Sequence, residues 1–145
     1  MTYAAFWKRL LAFIIDTVVV NICSYILGFC VGLVIGIAGA MGGITQDTLL
    51  RIAQAAGFAA GACVFLFYYS LFESSAKQAT LGKMALGVKV IDVYGNRLTF
   101  GKAFLRTICK FISLLPLGLG CLIALFTQKK QALHDLLVKT LVVNS

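Results

Sequence analysis

A single acidic residue, Asp16, lies inside a long apolar stretch and has the clearest potential for chemistry. Burial raises the pKa of a carboxylic acid, whereas a neighbouring arginine or lysine lowers it. A carboxylate balanced between these effects can exchange a proton or a cation, and an ionisable group within a membrane span is a functional-site hypothesis by default. We expect Arg106 or Lys110, which lie at the start of a later apolar run, to pair with Asp16. A purely structural ion pair is the alternative interpretation.

Other chemistry finds little support in the sequence. His134 is the single histidine, and the pair His134-Asp135 lacks the further ligands that a metal site needs. Gly82-Lys83 is not preceded by the glycine of a nucleotide-binding loop. The five cysteines are odd in number and scattered, as expected of small apolar residues. The sequence therefore predicts neither an enzyme nor a bound metal or cofactor.

The composition is that of a membrane protein. Of 145 residues, 61% are hydrophobic and 12% are charged, whereas a soluble domain has roughly 25% charged residues. Three apolar runs, at about 10–36, 52–72 and 104–126, each reach the ~20 residues that cross a bilayer. We predict one all-α polytopic membrane domain over residues 1–145, with two full transmembrane helices. This composition argues against secreted disulfide scaffolds, disordered tails and free-standing soluble enzymes.

The distribution of basic residues predicts the topology. Lys8 and Arg9 precede the first span, whereas Arg51 is the one basic residue between the first and second spans. Because basic residues concentrate on the cytoplasmic side, the N-terminus is predicted to be cytoplasmic. The third segment either re-enters as a hairpin, turning at Pro116 to Gly120, or crosses as a kinked span. The hairpin, which we prefer, places every basic residue except Arg51 on one side. Because topology accounts for the net charge of +8, nucleic-acid binding is not expected.

The segment between the second and third spans is predicted to be structured. Residues 73–87 fit a short interfacial helix with Lys83 on its polar side, and Glu73 is expected to be solvated at the end of a span. The alternating residues 88–93, the turn 94–97 and residues 98–100 predict a small cytoplasmic β-hairpin.

Glycines at helical spacing predict close helix packing. Small residues at this spacing let helix backbones approach each other within a bilayer. An intramolecular pair of the first two spans is the simpler interpretation, and a dimer seam is the alternative. The predicted packing residues are Gly28, Gly32, Gly36, Gly57 and Gly61.

Three blocks of sequence resemble the RDD family of small integral membrane proteins. They are FWKRLLAFIID at 6–16, ESSAKQATLGKMALG at 73–87 and KQALHD at 130–135. The arginine and two aspartates that give the family its name correspond to Arg9, Asp16 and Asp135. Ala76 and Lys139 stand where similar chains have proline and glycine. The resemblance implies a bacterial inner-membrane location and a loosely defined transport role, with cation/proton exchange proposed for some members.

These observations lead to two functional hypotheses. The first is a multi-pass inner-membrane protein with a transport-related role, exchanging a monovalent cation for protons through Asp16. Arg9, Arg106, Lys110 and Asp135 complete its predicted ion, proton or ion-pair site. The alternative is a membrane scaffold that recruits partners through its basic cytoplasmic face. The expected partners are the lipid bilayer, anionic headgroups on the cytoplasmic face and further copies of the chain.

Overall fold

The computed structural model describes residues 2–114 and 131–145. Helices dominate, and two short strands form one antiparallel sheet. The described residues form two compact units, one of residues 2–17, 66–114 and 131–145 and the other of residues 18–65. The elements, in chain order, are α1 (Phe6–Gly42), α2 (Gln46–Ser74), α3 (Leu81–Ala85), β1 (Val88–Asp92), α4 (Phe100–Leu114), α5 (Leu133–Val138) and β2 (Thr140–Asn144).

The helices α1 and α2 confirm the two long apolar helices predicted from the sequence. Both are long and apolar enough to cross a membrane. They extend beyond the predicted spans 10–36 and 52–72, because the helical backbone continues into the flanking residues. Helix α1 ends at Gly42, where Gly43 adopts a left-handed φ of 64° and the amide of Ile44 donates to the carbonyl of Gly39 at 3.2 Å. This is a common way to end a helix.

The unit of residues 18–65 exposes most of its apolar side chains. A methyl group added at Gly39 would collide with the Leu49 side chain, and one added at Gly61 would lie 4.0 Å from the Ser24 hydroxyl. By contrast, a methyl group at four other glycines would have no neighbour within 4 Å in the described structure. Among residues 2–114 and 131–145, those four have no close neighbour, so the intramolecular pair and the dimer seam both stay predictions. The four glycines are Gly28, Gly32, Gly36 and Gly57.

The sheet lies in the other unit and joins distant parts of the chain. Strand β1 pairs antiparallel with β2, with Val88 opposite Asn144 and Asp92 opposite Thr140. On the other edge of β2, the amide of Ala4 donates to the carbonyl of Val142 at 3.0 Å. A hydrophobic cluster closes around the sheet and contains Ala4, Val88, Val90, Leu98, Ala103 and Val142.

The predicted hairpin is confirmed in its antiparallel pairing and its first strand, but its predicted second strand is wrong. The turn is present, with Gly95 at φ 88° and its amide donating to the carbonyl of Asp92 at 3.1 Å. After the turn, however, Leu98 is buried in the core and α4 begins at Phe100. The strand β2 offers a longer apolar partner, so β1 pairs with β2 and not with residues 98–100.

Two further predictions concern the segments on either side of β1. The short helix exists as α3, but Lys83 is buried while Leu81 is exposed, the reverse of the predicted orientation. Helix α4 covers the beginning of the third apolar run. The predicted turn at Pro116 to Gly120, and the choice between a hairpin and a kinked span, lie outside the described residues.

Candidate functional site

The carboxylate of Asp16 is fully buried and binds neutral donors. Its Oδ1 accepts hydrogen bonds from the Tyr68 hydroxyl and the Gly82 amide, both at 2.8 Å. Its Oδ2 accepts one from the Thr80 hydroxyl at 2.5 Å. The predicted ion pair of Asp16 with Arg106 or Lys110 is wrong, because other carboxylates hold both of those cations.

Gly82 lets α3 approach α1 closely enough to bind Asp16. A methyl group at Gly82 would collide with the carbonyl oxygen of Ala12 and lie 2.9 Å from Asp16 Oδ1. A glycine is therefore required for the Gly82 amide to reach the carboxylate. The Tyr68 hydroxyl is fixed from the same side, because it accepts a hydrogen bond from the Leu81 amide at 3.2 Å.

Glu73 is the centre of a group of cations. Its Oε1 accepts hydrogen bonds from Lys83 at 2.5 Å and Lys110 at 2.9 Å, and its Oε2 accepts one from Arg106 at 2.5 Å. The prediction of a solvated Glu73 is wrong. Because α2 continues to Ser74, Glu73 lies one helical turn beyond Tyr69 and shares its buried face.

Asp135 is a second anionic centre and binds two arginines. Its Oδ1 accepts hydrogen bonds from Arg106 Nη2 at 2.6 Å and Nε at 3.0 Å, and its Oδ2 accepts one from Arg9 Nη1 at 2.8 Å. The amide of Ala132 donates to the same Oδ2 at 3.3 Å. Arg106 thus bridges Glu73 and Asp135. We call the six linked side chains the ionic network: Arg9, Glu73, Lys83, Arg106, Lys110 and Asp135.

Burial and charge together shift the pKa values in this region. Burial lowers the pKa of the Lys83 ammonium, and the charge of Glu73 opposes that shift without cancelling it. Burial raises the pKa of Asp135, but the charges and hydrogen bonds of its basic neighbours, with Arg106 the largest contributor, together more than offset it, so the carboxyl titrates well below its usual range. Burial also lowers the pKa of His134 to about 3. At neutral pH, Asp135 is therefore charged and His134 is neutral.

The five site residues predicted from the sequence all line one cavity of about 130 Å³. Lys83 and Tyr69 line the same cavity. The site residues predicted from sequence are Arg9, Asp16, Arg106, Lys110 and Asp135. Within residues 2–114 and 131–145, no three histidine, cysteine, aspartate or glutamate side chains gather as metal ligands.

Sequence reasoning missed several residues of the site. Glu73 has a signal that could have revealed it, because it lies four residues after Tyr69 and shares its helical face. Lys83 has none, because the approach of Gly82 to α1 is seen only in the structure. Thr80 and Tyr68 carried no signal, because a hydroxyl that binds a distant carboxylate looks like any other hydroxyl in the sequence.

Comparison with known proteins identifies one family and several relatives. The model of the RDD family matches residues 3–139. The chain is 33% identical to "Uncharacterized protein YxaI" of Bacillus subtilis (strain 168), over 97% of the chain and 96% of that protein. It is 28% identical to "Uncharacterized membrane protein YteJ" of the same organism, over 98% of the chain and 81% of that protein. A third relative, "Uncharacterized protein RP437" of Rickettsia prowazekii (strain Madrid E), is 34% identical over 61% of the chain and 49% of that protein. No solved structure matches the chain.

Proposed function

The chain belongs to the RDD family, and from this premise we propose that it is a transport protein in which Asp16 exchanges a proton for a monovalent cation. The family, a relative called a membrane protein and two long apolar helices point to a membrane location. The observation that carries the proposed exchange is the environment of Asp16: a fully buried carboxylate whose described hydrogen-bond donors are all neutral.

Neutral donors are compatible with exchange because a change of charge at Asp16 leaves no buried cation unpaired. A carboxylate paired with arginine strongly resists protonation. The Thr80 hydroxyl can instead rotate, donating to the charged carboxylate or accepting from a protonated one. The oxygens of Tyr68, Thr80 and Asp16 are also the kind of ligand that hard cations prefer. One set of oxygens can therefore serve a proton and a cation in turn.

The ionic network supports this function without taking part in the exchange. Glu73 and Asp135 hold Arg106 at both ends of its guanidinium group. Arg106 is thus occupied, and an alternation of Asp16 between a cation and Arg106 is not part of the proposal. The network acts as a frame that positions the elements carrying Tyr68, Thr80 and Gly82 around Asp16.

Ion flux in proteoliposomes tests the proposed exchange. We expect Asp16→Asn to abolish proton efflux driven by an inward gradient of sodium or potassium. Asp47→Asn is the matched control, because it makes the same chemical change at an exposed carboxylate paired with Arg51. Full wild-type flux in Asp16→Asn, or equal losses in both variants, would contradict the proposal.

The location proposed for the protein is the bacterial inner membrane, with several spans and a cytoplasmic N-terminus. The test uses a chain without its native cysteines and with a single cysteine at Thr2. A membrane-impermeant maleimide should label that cysteine only after the membrane is opened. Labelling of intact cells would contradict the proposed orientation.

One observation favours the alternative function, a scaffold that assembles with other copies or partners. The glycine face of α1 is open in the described structure, since Gly28, Gly32 and Gly36 have no neighbour for an added methyl group. If this face forms an assembly, Gly32→Leu should lower the oligomer size of the purified protein, whereas Val34→Leu should not. A scaffold would also co-purify with a fixed partner, without ion flux.

A further inference from the structure

Helix α4 buries charged side chains and exposes apolar ones, which is the opposite of a helix on the surface of a soluble protein. Its inward face carries Arg106, which is 1% exposed, and Lys110, which is 9% exposed. Its outward face carries Leu105, Ile108 and Phe111, of which Leu105 is 52% exposed. In a soluble protein the apolar side of such a helix faces the core and the charged side faces water.

The short helices around α4 show the same reversal. In α5, Asp135 is fully buried, whereas its neighbours Leu136 and Leu137 are exposed. In α3, Lys83 is buried and Leu81 is exposed. Apart from Lys102, which is exposed in the first turn of α4, three separate helices of one unit therefore share one arrangement, with ionic side chains inside and leucine, isoleucine and phenylalanine outside.

The sheet of the same unit has the ordinary arrangement. Val90, Ile91 and Val142 are buried, and the exposed Tyr94 lies at the turn after β1. The reversal is thus a property of the helical side of the unit and not of the whole unit.

Water would penalise this arrangement twice. Exposed apolar surface costs about 25 cal/mol per Å² in water, and buried ionic groups lose their hydration. Hydrocarbon removes the first cost, because an acyl chain solvates a leucine side chain well. It also favours ionic groups that face inward and pair with one another.

We propose that the outward faces of α3, α4 and α5 are embedded among the acyl chains of one lipid leaflet, with the sheet on the aqueous side. The first turns of α1, in the same unit, also expose apolar side chains, namely Trp7, Leu11 and Ile14. A helix that enters the bilayer must present such residues to lipid, so acyl chains are the occupant that fits apolar faces backed by buried ionic groups. The ionic network then lies at the depth of the lipid, sealed from water on this side by acyl chains.

Quenching of tryptophan fluorescence by brominated acyl chains tests this proposal. The background is Trp7→Phe, which removes the single tryptophan. New tryptophans replace Leu105 on α4 and Leu137 on α5, both exposed positions that tolerate a larger side chain. Ile26→Trp on α1 is the positive control within a span, and Tyr94→Trp, at a position 82% exposed beside the sheet, is the negative control.

The result we expect is quenching at Leu105 and Leu137 as strong as at Ile26, with blue-shifted emission, and little quenching at Tyr94. Quenching at both positions as weak as at Tyr94 would overturn the proposal. Blue-shifted emission without quenching would also overturn it, because protein, such as a second copy, would then cover the face. A nitroxide attached to Leu136→Cys gives an independent reading, since oxygen should broaden its spectrum more than a soluble nickel chelate.

The proposal rests on the membrane location and not on ion exchange at Asp16. The two proposals can therefore fail independently. Absence of quenching would contradict the lipid-embedded face without affecting ion exchange at Asp16, and absence of ion flux would contradict the exchange without affecting the lipid-embedded face.

Discussion

Glu73 and Asp16 are both fully buried carboxylates, yet their surroundings are opposite. Three cations converge on Glu73, namely Lys83, Arg106 and Lys110. Three neutral donors converge on Asp16. Both carboxylates belong to the same unit, so the local partners and not the depth of burial distinguish them.

The difference separates two roles that a buried acid can have. An acid surrounded by cations keeps its negative charge, because protonation would leave those cations unpaired. An acid held by hydroxyls and an amide has no cation that a change of its charge would leave unpaired. Glu73 is thus suited to holding the fold together, and the surroundings of Asp16 are those from which the exchange was proposed.

The largest expected effect comes from neutralising Glu73. Glu73→Gln leaves Lys83 and Lys110 without their carboxylate, and breaking a buried ion pair on one side costs about 3–5 kcal/mol. The free energy of unfolding in detergent, measured by denaturant titration, should fall by that amount. Asp16→Asn loses hydrogen bonds to a charged group, a cost of about 1–3 kcal/mol. Equal losses in the two variants would remove the distinction between the two acids.

The second effect tests the hydrogen bonds around Asp16. Gly82→Ala places a methyl group against the Ala12 carbonyl, which pushes α3 away and costs about 1–3 kcal/mol, as overpacking does. We expect ion flux to fall as well, because the Gly82 amide no longer reaches Asp16. Gly101→Ala is the control, since a methyl group there has open space around it. Unchanged stability and flux in Gly82→Ala would show that this close approach is not needed.

The third effect is a pH dependence of stability, which tests the region around the ionic network. The pKa of His134 is lowered to about 3 in the folded chain. Below pH 6.5, His134 therefore becomes protonated in the unfolded chain but stays neutral in the folded chain. Stability should therefore fall as the pH decreases from 6.5, by about 1.4 kcal/mol for each pH unit in this range. The pKa of Asp135 is also lowered, and its contribution to the stability of the fold is lost only below about pH 3.9. Melting temperatures from pH 7 to 4.5 should decline less in His134→Gln, and equal slopes would contradict this assignment.

The smallest expected effect is a gain in stability. Lys139 adopts a φ of 54° between α5 and β2, and a residue with a side chain pays about 1 kcal/mol or more for this left-handed conformation. Lys139→Gly should therefore raise the melting temperature slightly while leaving the ionic network intact. Lys89→Gly, within β1, should have the opposite sign, because glycine weakens a strand.

The sequence predicted which residues meet better than it predicted how they pair. Two long apolar helices and one strand followed from hydropathy and alternation, which are local signals. The partner of that strand did not, because β2 lies about fifty residues away and competes with a nearer segment. The position of Glu73 depended on whether α2 ends at 72 or at Ser74, and two residues of helix turn its side chain from solvent into the core.

The site shows the same limit. Asp16 was recognised as special because a charged residue in apolar surroundings is costly, whereas Arg9 and Asp135 were singled out by the resemblance to the RDD family. The actual donors to Asp16 include a backbone amide, and every residue except proline has one. Such a partner can be identified only once Gly82 is seen to lie against α1.

The pairing of Arg9 with Asp135 also constrains the order of events during biosynthesis. Arg9 leaves the ribosome 126 residues before Asp135, and β2 needs residues 2–4 at its edge and β1 at the other. Both long helices are therefore complete while Arg9 still lacks its carboxylate. The ionic network closes only when translation reaches α5 and β2, so a chain that stops before them leaves Arg9 and Arg106 without the carboxylate of Asp135.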